Sequence, residues 1–346
     1  MHVSFVVSTY RRPDVLESTL EALVSVDYDV SSYEVIVVDD GSGDSTPAVT
    51  ASFAGRGPDV RYVAQPNSGV ATARNTGATN ARGELLIFLD DDIVVQPDHI
   101  RAHLAARKAY GDCLVNGHWE FSPAILVALE ETPFGRYRIE FEEQVKDGNE
   151  KVPLGDGRLR PHEVTAANLS ISAALFRRLG GFDQAFPYAG AEDAEFGHRA
   201  REAGCMFVYD PAIQLEHNDQ RVTLEQLCRR YQRGAVTSVY LVARHPAAHS
   251  SDELLLENAP ITECDPWRWR VKKALKHVYA SPVGLFLVRR IVAVLERRAP
   301  DSPLLRRLYS MTIGAYIFRG VHEGLRAVPE AREIVLDAMR ARFGNA

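Results

Sequence analysis

Residues 85–92 read Leu-Leu-Ile-Phe-Leu-Asp-Asp-Asp, a short apolar run that ends in three adjacent carboxylates. An apolar run of this length is typical of a strand buried on both faces of a sheet. Because side chains alternate along an extended chain, we expect Asp90 and Asp92 to point the same way, about 7 Å apart. Unpaired desolvated carboxylates are costly, so the run predicts a hard divalent cation, Mg²⁺ or Mn²⁺. A solvated acidic turn is the alternative.

Three similar apolar runs precede this one, and helical or turn segments separate them. The segment after Pro13 carries Leu16, Leu20 and Leu23 at the spacing of one buried helical face, and residues 70–81 predict a second helix. This alternation predicts an α/β fold whose mostly parallel sheet is flanked by helices, with ligands bound beyond the carboxyl ends of the strands. The predicted strands are residues 3–8, 34–38, 60–63 and 85–89.

A second acidic turn, Asp39-Asp40-Gly41-Ser42, follows the strand at residues 34–38. A carboxylate at a strand end can accept hydrogen bonds from a base N–H or from ribose hydroxyls, and Gly41 lets the backbone turn closely around a ligand. Taken alone, the turn fits an ordinary Asx-turn equally well. Its combination with the acidic end of residues 85–92 favours a binding site.

The composition limits the class of protein. The chain has 346 residues, of which 46% are hydrophobic and 25% charged, as in folded globular proteins. The formal net charge of −6 argues against a nucleic-acid binder that relies on bulk positive charge. The charge is uneven, because residues 268–346 carry +10 and residues 1–267 carry −16.

Cysteine usage and the first residues indicate the compartment. The four cysteines include no Cys-x-x-Cys pair, so a zinc knuckle or a dense disulfide framework is not indicated and a reduced setting is expected. Residues 1–13 show no basic leader, and no apolar run approaches the ~20 residues that span a bilayer. We expect a cytoplasmic protein, with peripheral attachment to the inner face of the membrane as the alternative.

Six motifs, in order, resemble those of the glycosyltransferase family 2 enzymes, which have the glycosyltransferase-A type (GT-A) nucleotide-sugar-binding fold. Each motif alone is weak, whereas six in the family's order are specific, and together they cover residues 3–218. The motifs are Val3-Ser4-Phe5-Val6-Val7-Ser8-Thr9-Tyr10, Val37-Val38-Asp39-Asp40-Gly41-Ser42, Asn67-Ser68-Gly69 with Ala73-Arg74-Asn75-Thr76-Gly77, Phe88-Leu89-Asp90-Asp91-Asp92, Gly180-Gly181-Phe182-Asp183 and Glu192-Asp193.

The resemblance implies a donor site at the first two acidic turns. Ser8, Tyr10 and Asp40 would surround the nucleotide base and ribose, with Asp39 supporting the turn. Arg74 would lie near the diphosphate, where a planar guanidinium suits phosphate oxygens. A helix-surface arginine is the alternative for Arg74.

The resemblance also implies a site for Mn²⁺ or Mg²⁺ at the Asp-x-Asp motif. Asp92 would be the direct ligand, while Asp90 and Asp91 would contact the metal through water or meet the ribose. His217 would complete the metal shell and favour Mn²⁺, with a structural histidine as the alternative. Asn168 resembles a position on the acceptor or sugar side.

Small residues precede two carboxylates, Glu192 and Asp193, at the start of a predicted helix. A helix N-terminus stabilises carboxylates, and capping for stability alone is the alternative. The resemblance makes Asp193 the general base that takes the proton of an acceptor hydroxyl as it attacks the anomeric carbon. Glu192 would orient donor or acceptor hydroxyls. A single displacement of this kind inverts the anomeric configuration.

We expect two parts in the chain. Residues 1–221 would form the catalytic domain, with a nucleotide-binding half at 1–98 and an acceptor and catalytic half at 99–221 that contains a long loop at 113–160. Residues 222–346 would form a helical C-terminal region.

The basic C-terminal helices contain Trp267-Arg268-Trp269-Arg270 and an apolar run at residues 283–295 that Arg289-Arg290 splits. Basic helices with Trp and Leu can lie in a bilayer interface that carries anionic lipid. An ordinary helical subdomain or a homodimer interface explains the same pattern, and these two interpretations are favoured unless the acceptor is membrane-bound.

The sequence predicts a metal-dependent inverting glycosyltransferase. Its donor would be a nucleoside-diphosphate sugar, with UDP expected first and dTDP or GDP as alternatives, and its acceptor a hydroxyl of a glycan, a lipid-linked molecule or a small molecule. A metal-dependent nucleotidyltransferase would need a Gly-rich phosphate loop, which Thr9-Tyr10-Arg11-Arg12-Pro13 lacks. A catalytically silent binding protein of the same fold predicts loss of the acidic clusters, whereas Asp92 and Asp193 are both present.

Overall fold

The structure is a computed structural model that describes residues 2–147, 151–250 and 252–344. The chain divides into two compact units. The first contains Met1–Leu126, Gln144–Ala185 and Glu192–Gln220, and the second contains Val127–Glu143, Phe186–Ala191 and Arg221–Ala346.

The first unit is built on a sheet of ten strands in the order β3-β2-β1-β4-β9-β6-β10-β8-β7, with β5 paired to β10. The strands are β1 Val3–Thr9, β2 Tyr33–Asp39, β3 Asp59–Ala64, β4 Leu85–Asp90, β5 Ile93–Val95, β6 Leu114–Phe121, β7 Lys151–Pro153, β8 Leu159–Pro161, β9 Asn168–Ser172 and β10 Phe207–His217.

Fifteen helices lie in the described residues, and six of them, α1–α4, α7 and α8, lie wholly within the first unit. The helices are α1 Pro13–Val24, α2 Thr46–Ala51, α3 Val70–Asn80, α4 His99–Tyr110, α5 Pro123–Glu130, α6 Pro133–Asp147, α7 Ala173–Arg178, α8 Glu192–Glu202, α9 Leu224–Arg244, α10 Pro246–His249, α11 Glu253–Asn258, α12 Trp267–Tyr279, α13 Pro282–Arg298, α14 Pro303–Ala327 and α15 Pro329–Phe343.

The N-terminal half of the sheet confirms the predicted α/β architecture. Strands β3, β2, β1 and β4 are neighbours and pair in parallel, so their carboxyl ends lie at one edge. Leu16, Leu20 and Leu23 of α1 are fully buried against one face of this half. Helix α3 covers the other face closely, since a Cβ at Gly77 would lie 2.3 Å from Val6 Cγ1.

The sheet becomes mixed beyond β4. Strand β9 is antiparallel to both β4 and β6, while β6 and β10 are parallel to each other. Because β9 runs against β4, the loop that enters β9 lies at the carboxyl end of β4. The backbone N–H of Asp90 accordingly donates to the carbonyl oxygen of Ala167 (3.4 Å).

Residues 113–160 do not form the long loop predicted from the sequence. They contain β6, α5, α6, β7 and β8, while residues 148–150 lie outside the described residues. Phe134, Tyr137 and Phe141 are not loop aromatics, because their spacing places them on one face of α6. That face packs within the second unit, where the Phe134 ring lies 5.3 Å from the Tyr309 ring between centroids.

The second unit is helical, as the sequence predicted for residues 222–346. Helices α9 and α14 pack along their lengths around Leu227, Val239 and Val321. Helix α9 begins with a capping box in which Thr223 and Gln226 satisfy each other's backbone N–H groups. Among the described residues no single helix is long and apolar enough to cross a membrane, and only α12 and α13 together meet that length and apolarity, as a pair bent by 80°.

Candidate active site

The predicted acidic residues gather at the carboxyl edge of the parallel strands. Register pairs Ser8 of β1 with Asp90 of β4, and Thr9 of β1 with Asp39 of β2. Ser8 is half-buried and Tyr10 is exposed at this edge. The β1 strand therefore joins the two acidic turns that the sequence placed far apart.

The alternation expected for Asp90 and Asp92 does not hold. Strand β4 ends at Asp90, and Asp91 and Asp92 lie in a turn. The alternation of side chains along a strand therefore does not extend to them. Asp91 and Asp92 instead share one cation: Arg12 donates to Asp91 Oδ1 at 2.6 Å and to Asp92 Oδ2 at 2.7 Å. Although burial opposes its charged form, these carboxylates raise the pKa of Arg12 above its ordinary value.

Asp91 holds the turn to β1 and α1. Thr9 Oγ1 donates to Asp91 Oδ2 (2.7 Å), and Thr19 Oγ1 donates to the Asp91 carbonyl oxygen (2.7 Å). With Arg12 on the other carboxylate oxygen, both oxygens of Asp91 are bonded within the protein. Asp91 is therefore positioned to shape the turn rather than to face a ligand.

Asp92 faces His217 at the end of β10. The distance from Asp92 Oδ1 to His217 Nε2 is 3.3 Å, and the Asp92 carbonyl oxygen accepts from the N–H of Asn218 (2.7 Å). Burial works to raise the pKa of Asp92, but interaction with His217 and the charge of Arg12 outweigh it, so this pKa lies below its ordinary value. The carboxylate is therefore ionised at neutral pH.

The same two residues fit a divalent cation. Asp92 Oδ1 and His217 Nε2 are buried and have no hydrogen-bond partner among the described residues. Two cis ligands at the distances that Mg²⁺ prefers lie about 3 Å apart, close to the separation seen here. One carboxylate and one imidazole suit Mn²⁺ better than Mg²⁺.

Arg74 connects the end of β4 to the start of α8. Its Nη2 donates to Asp90 Oδ1 (2.8 Å) and its Nη1 donates to Glu192 Oε1 (2.7 Å). The Arg74 side chain is 4% exposed, so it is not the helix-surface arginine considered as the alternative. Both terminal nitrogens bind carboxylates in the protein, and a contact with the diphosphate stays a prediction.

Asp193 lies beside this pair, at the first turn of α8. Its Oδ1 accepts from the N–H of Ala194 (2.9 Å), and its Oδ2 accepts from the N–H of Ala166 (3.4 Å). Burial and then the charge of Glu192 raise the pKa of Asp193 to about 7, while Arg74 opposes the shift. A carboxylate with a pKa near neutrality suits a general base.

Two tethers hold α8 in this place. Asn75 of α3 makes two hydrogen bonds with the Phe182 backbone, one to its carbonyl oxygen (2.8 Å) and one from its N–H (2.9 Å). Arg199 donates to both carboxylate oxygens of Glu195 and to the carbonyl oxygens of Leu179 and Gly181. The Gly-Gly-Phe-Asp motif is thereby fastened to both helices.

The turn after β2 is internally bonded. Asp39 accepts from the Ser42 N–H (2.8 Å) and from the Tyr62 hydroxyl (2.6 Å). Asp40 accepts from Gln65 and from the N–H groups of Ser68 and Gly69, at 2.7–2.9 Å. Gly41 has a φ of +80°, and a Cβ there would lie 2.8 Å from the Asn67 nitrogen. A base or ribose contact by Asp40 stays a prediction.

Asn168 begins β9 and pairs with Leu89 of β4. Its side chain is buried, and its Oδ1 lies 3.1 Å from Nε2 of the buried His103. Ser170, two positions along β9 and therefore on the same face, contacts the other nitrogen of His103 (2.8 Å). A contact of Asn168 on the acceptor or sugar side stays a prediction.

Sequence reasoning missed Arg12 and the tether made by Asn75. In the sequence, Arg12 stands out only as part of a loop without glycine, although a basic residue after the first strand lies at the same sheet edge as the acidic turns. The two acidic centres of the sequence meet in one cluster in the structure. Asp90, Arg74, Glu192 and Asp193 form its centre, with Arg12, Asp92 and His217 at its flank.

The mixed sheet flanked by helices matches the fold of GT-A type structures. The same fold occurs in the mannosyltransferase PcManGT from Pyrobaculum calidifontis, solved with GDP-Man and Mn²⁺, at a TM-score of 0.57 and 20% identity over 94% of this chain and 88% of that one.

Residues 4–158 match the family model "Glycosyl transferase family 2". Validoxylamine A glucosyltransferase of Streptomyces hygroscopicus subsp. jinggangensis is 33% identical over 58% of this chain and 52% of its own length. Hyaluronan synthase of Pasteurella multocida is 26% identical over 63% of this chain and 24% of its own. The chain therefore spans about half or less of these curated relatives.

Proposed function

We propose that the chain is a metal-dependent inverting glycosyltransferase that uses a nucleoside-diphosphate sugar. The observation that carries the proposal is the Arg74 bridge, whose nitrogens lie 2.8 Å from Asp90 and 2.7 Å from Glu192. The bridge supports a single centre in which the turn at the end of β4, proposed to bind the donor, and the candidate base beside Glu192 act on the same substrate.

Asp92 and His217 would hold a divalent cation, Mn²⁺ in preference to Mg²⁺. The cation would supply Lewis-acid stabilisation of charge on the leaving diphosphate. Asp91 would hold the turn and Asp90 would orient the ribose, while Ser8, Tyr10 and Asp40 would line the base and ribose. Arg74 would add positive charge near the diphosphate.

Asp193 would remove the acceptor proton. As the acceptor oxygen forms a bond to the anomeric carbon, the bond from that carbon to the diphosphate oxygen breaks, and the nucleoside diphosphate leaves with the electron pair. The acceptor proton passes to the Asp193 carboxylate. Glu192, held by Arg74, would orient a sugar hydroxyl. Attack opposite the leaving group inverts the anomeric carbon.

The donor is proposed to be a UDP-sugar. The mannosyltransferase of the same fold was solved with GDP-Man, so GDP-sugars belong in the test. The experiment measures nucleoside diphosphate released from UDP-, dTDP- and GDP-sugars, with and without Mn²⁺. Release from one nucleotide class, dependent on Mn²⁺ and lost in Asp193→Asn, supports the proposal. Donor binding without release in the wild type favours a silent binding protein, and pyrophosphate release from a nucleoside triphosphate favours a nucleotidyltransferase.

A further inference from the structure

Helix α12 of the second unit turns apolar side chains outward. Trp267, Val271, Leu275 and Val278 recur every three or four residues and therefore share one helical face. They are between 50% and 71% exposed. A surface helix of a globular protein normally presents a polar face to water, whereas α12 exposes these apolar side chains together with Arg268, Arg270 and Lys272.

Two lysines lie on the inward face of α12, beside the half-buried Trp269 and Tyr279. Lys273 is fully buried and donates to Asp265 Oδ1 at 2.8 Å, and Lys276 donates to Asn258 Oδ1 at 2.8 Å. Because burying lysine is costly, this arrangement is not the default packing of an amphipathic helix. Ordinary amphipathic packing therefore does not account for the exposed apolar face of α12.

Helix α13 continues the pattern after the bend. Val283, Phe286, Leu287, Ile291 and Val294 lie at the spacing of one helical face and are between 49% and 69% exposed. Large contiguous apolar surfaces on soluble proteins mark interaction sites. We call the exposed faces of α12 and α13 the apolar ridge.

The apolar ridge is accompanied by positive charge. Residues 267–298 contain nine Lys and Arg and a single acidic residue, Glu296. Arg268, Arg290, Arg297 and Arg298 are exposed and have no acidic partner among the described residues. A second copy docked about a two-fold axis would bring like charges together, whereas an anionic lipid surface is complementary.

We propose that the apolar ridge lies in the interface of an anionic lipid bilayer. The helices have 13 and 17 residues and meet at a bend of 80°. At 1.5 Å per residue each is about 20–26 Å long, shorter than the hydrocarbon core. They therefore lie along the interface, with the apolar side chains inserted and the arginines at the headgroups. This inference goes beyond the proposed glycosyl transfer and does not rest on it.

The test is flotation of the full chain with vesicles of phosphatidylcholine alone or mixed with phosphatidylglycerol. The wild type is expected to bind the anionic vesicles and to lose binding as salt rises. The double variant Phe286→Ser, Leu287→Ser should bind about tenfold more weakly or worse. The matched control Val127→Ser, Val152→Ser changes apolar residues that are 59% and 51% exposed on other elements, and should bind as the wild type does.

Two further measurements separate the alternatives. Arg290→Glu, Arg297→Glu should abolish the preference for anionic vesicles, and Trp267 emission should shift to the blue on binding. No binding of the wild type to anionic vesicles at low salt, or equal binding by the Phe286→Ser, Leu287→Ser variant, overturns the proposal. A dimer in light scattering that this variant dissociates, without vesicle binding, assigns the ridge to a second copy. Donor hydrolysis on the same samples reports separately on the proposed function.

Discussion

Asp92 Oδ1 lies 3.3 Å from His217 Nε2, while Arg12 binds the other oxygen of the same carboxylate at 2.7 Å. One oxygen is therefore occupied by the protein and the other is directed toward an imidazole from a different strand. Arg12 thereby orients Asp92, and the pair Asp92–His217 is the proposed site of the divalent cation.

The first prediction concerns this pair. In Asp92→Asn and His217→Ala, one of two candidate ligands is lost, so Mn²⁺ affinity should fall at least about tenfold. The measurement is the rise in melting temperature on adding Mn²⁺, which the wild type should show and each variant should lose. His162→Ala, at an exposed histidine, is the control. An unchanged Mn²⁺ response in both variants would place the metal elsewhere.

The second prediction concerns Arg12. Arg12→Ala leaves Asp91 and Asp92, which are 5% and 3% exposed, without their shared cation. We expect the free energy of unfolding to fall by about 1–3 kcal/mol, measured by urea denaturation. Arg56→Ala breaks an exposed pair with Glu21 and should cost less than about 1 kcal/mol. Equal losses in both variants would mean that the two ion pairs of Arg12 contribute no more to the free energy of unfolding than an exposed ion pair does.

Much of the sheet could be predicted because its strands are short apolar runs that can be recognised from neighbouring residues alone. Strands β1, β2, β3 and β4 extend the predicted runs by one or two residues. Buried and mostly apolar side chains fill both faces of β1, β2 and β4, whereas β3 lies at the sheet edge and is partly exposed. The helices at 123–147 were missed because their aromatic side chains are buried against α9 and α14, far along the chain. Periodicity was present there, but the sequence does not show what covers that face.

The acidic residues of the site were predictable, whereas their partners were not. Arg12 reaches Asp91 across 79 positions, and Arg74 reaches Glu192 across 118. Such contacts depend on strand order, which local composition does not determine.

The third prediction follows from the pKa of Asp193, which burial and Glu192 raise to about 7. Below that pH the carboxyl holds a proton and cannot accept another, so kcat/KM for transfer should fall about tenfold per pH unit. Above it the carboxylate is ionised and the rate should level off. A pH profile of transfer, with donor affinity measured in parallel, checks this.

Asp193→Asn should bind nucleoside diphosphate normally and lose transfer by about 10²–10⁴-fold. Glu202→Gln, at the exposed end of the same helix, is the control and should keep the wild-type profile. A profile that still falls below pH 7 in an active Asp193→Asn enzyme would assign the titration to another group.

The fourth prediction concerns Arg74. Arg74→Ala removes the Arg74 guanidinium from Glu192, which is 2% exposed, and from Asp90, and removing one partner of a buried ion pair costs about 3–5 kcal/mol. Asp90 is 35% exposed and water can replace its partner, so the lower part of that range is expected. The free energy of unfolding in urea measures the loss.

Arg74→Lys separates charge from geometry. Lysine keeps the charge but lacks the planar guanidinium that donates to both carboxylates. The free energy of unfolding should therefore be higher than in Arg74→Ala, while the rate of transfer remains low. Glu192→Gln keeps the hydrogen-bonding shape and removes one charge beside Asp193, so the pKa of Asp193 should fall and the acid limb of the pH profile should move to lower pH. A limb that stays in place would show that Glu192 does not set the basicity of Asp193.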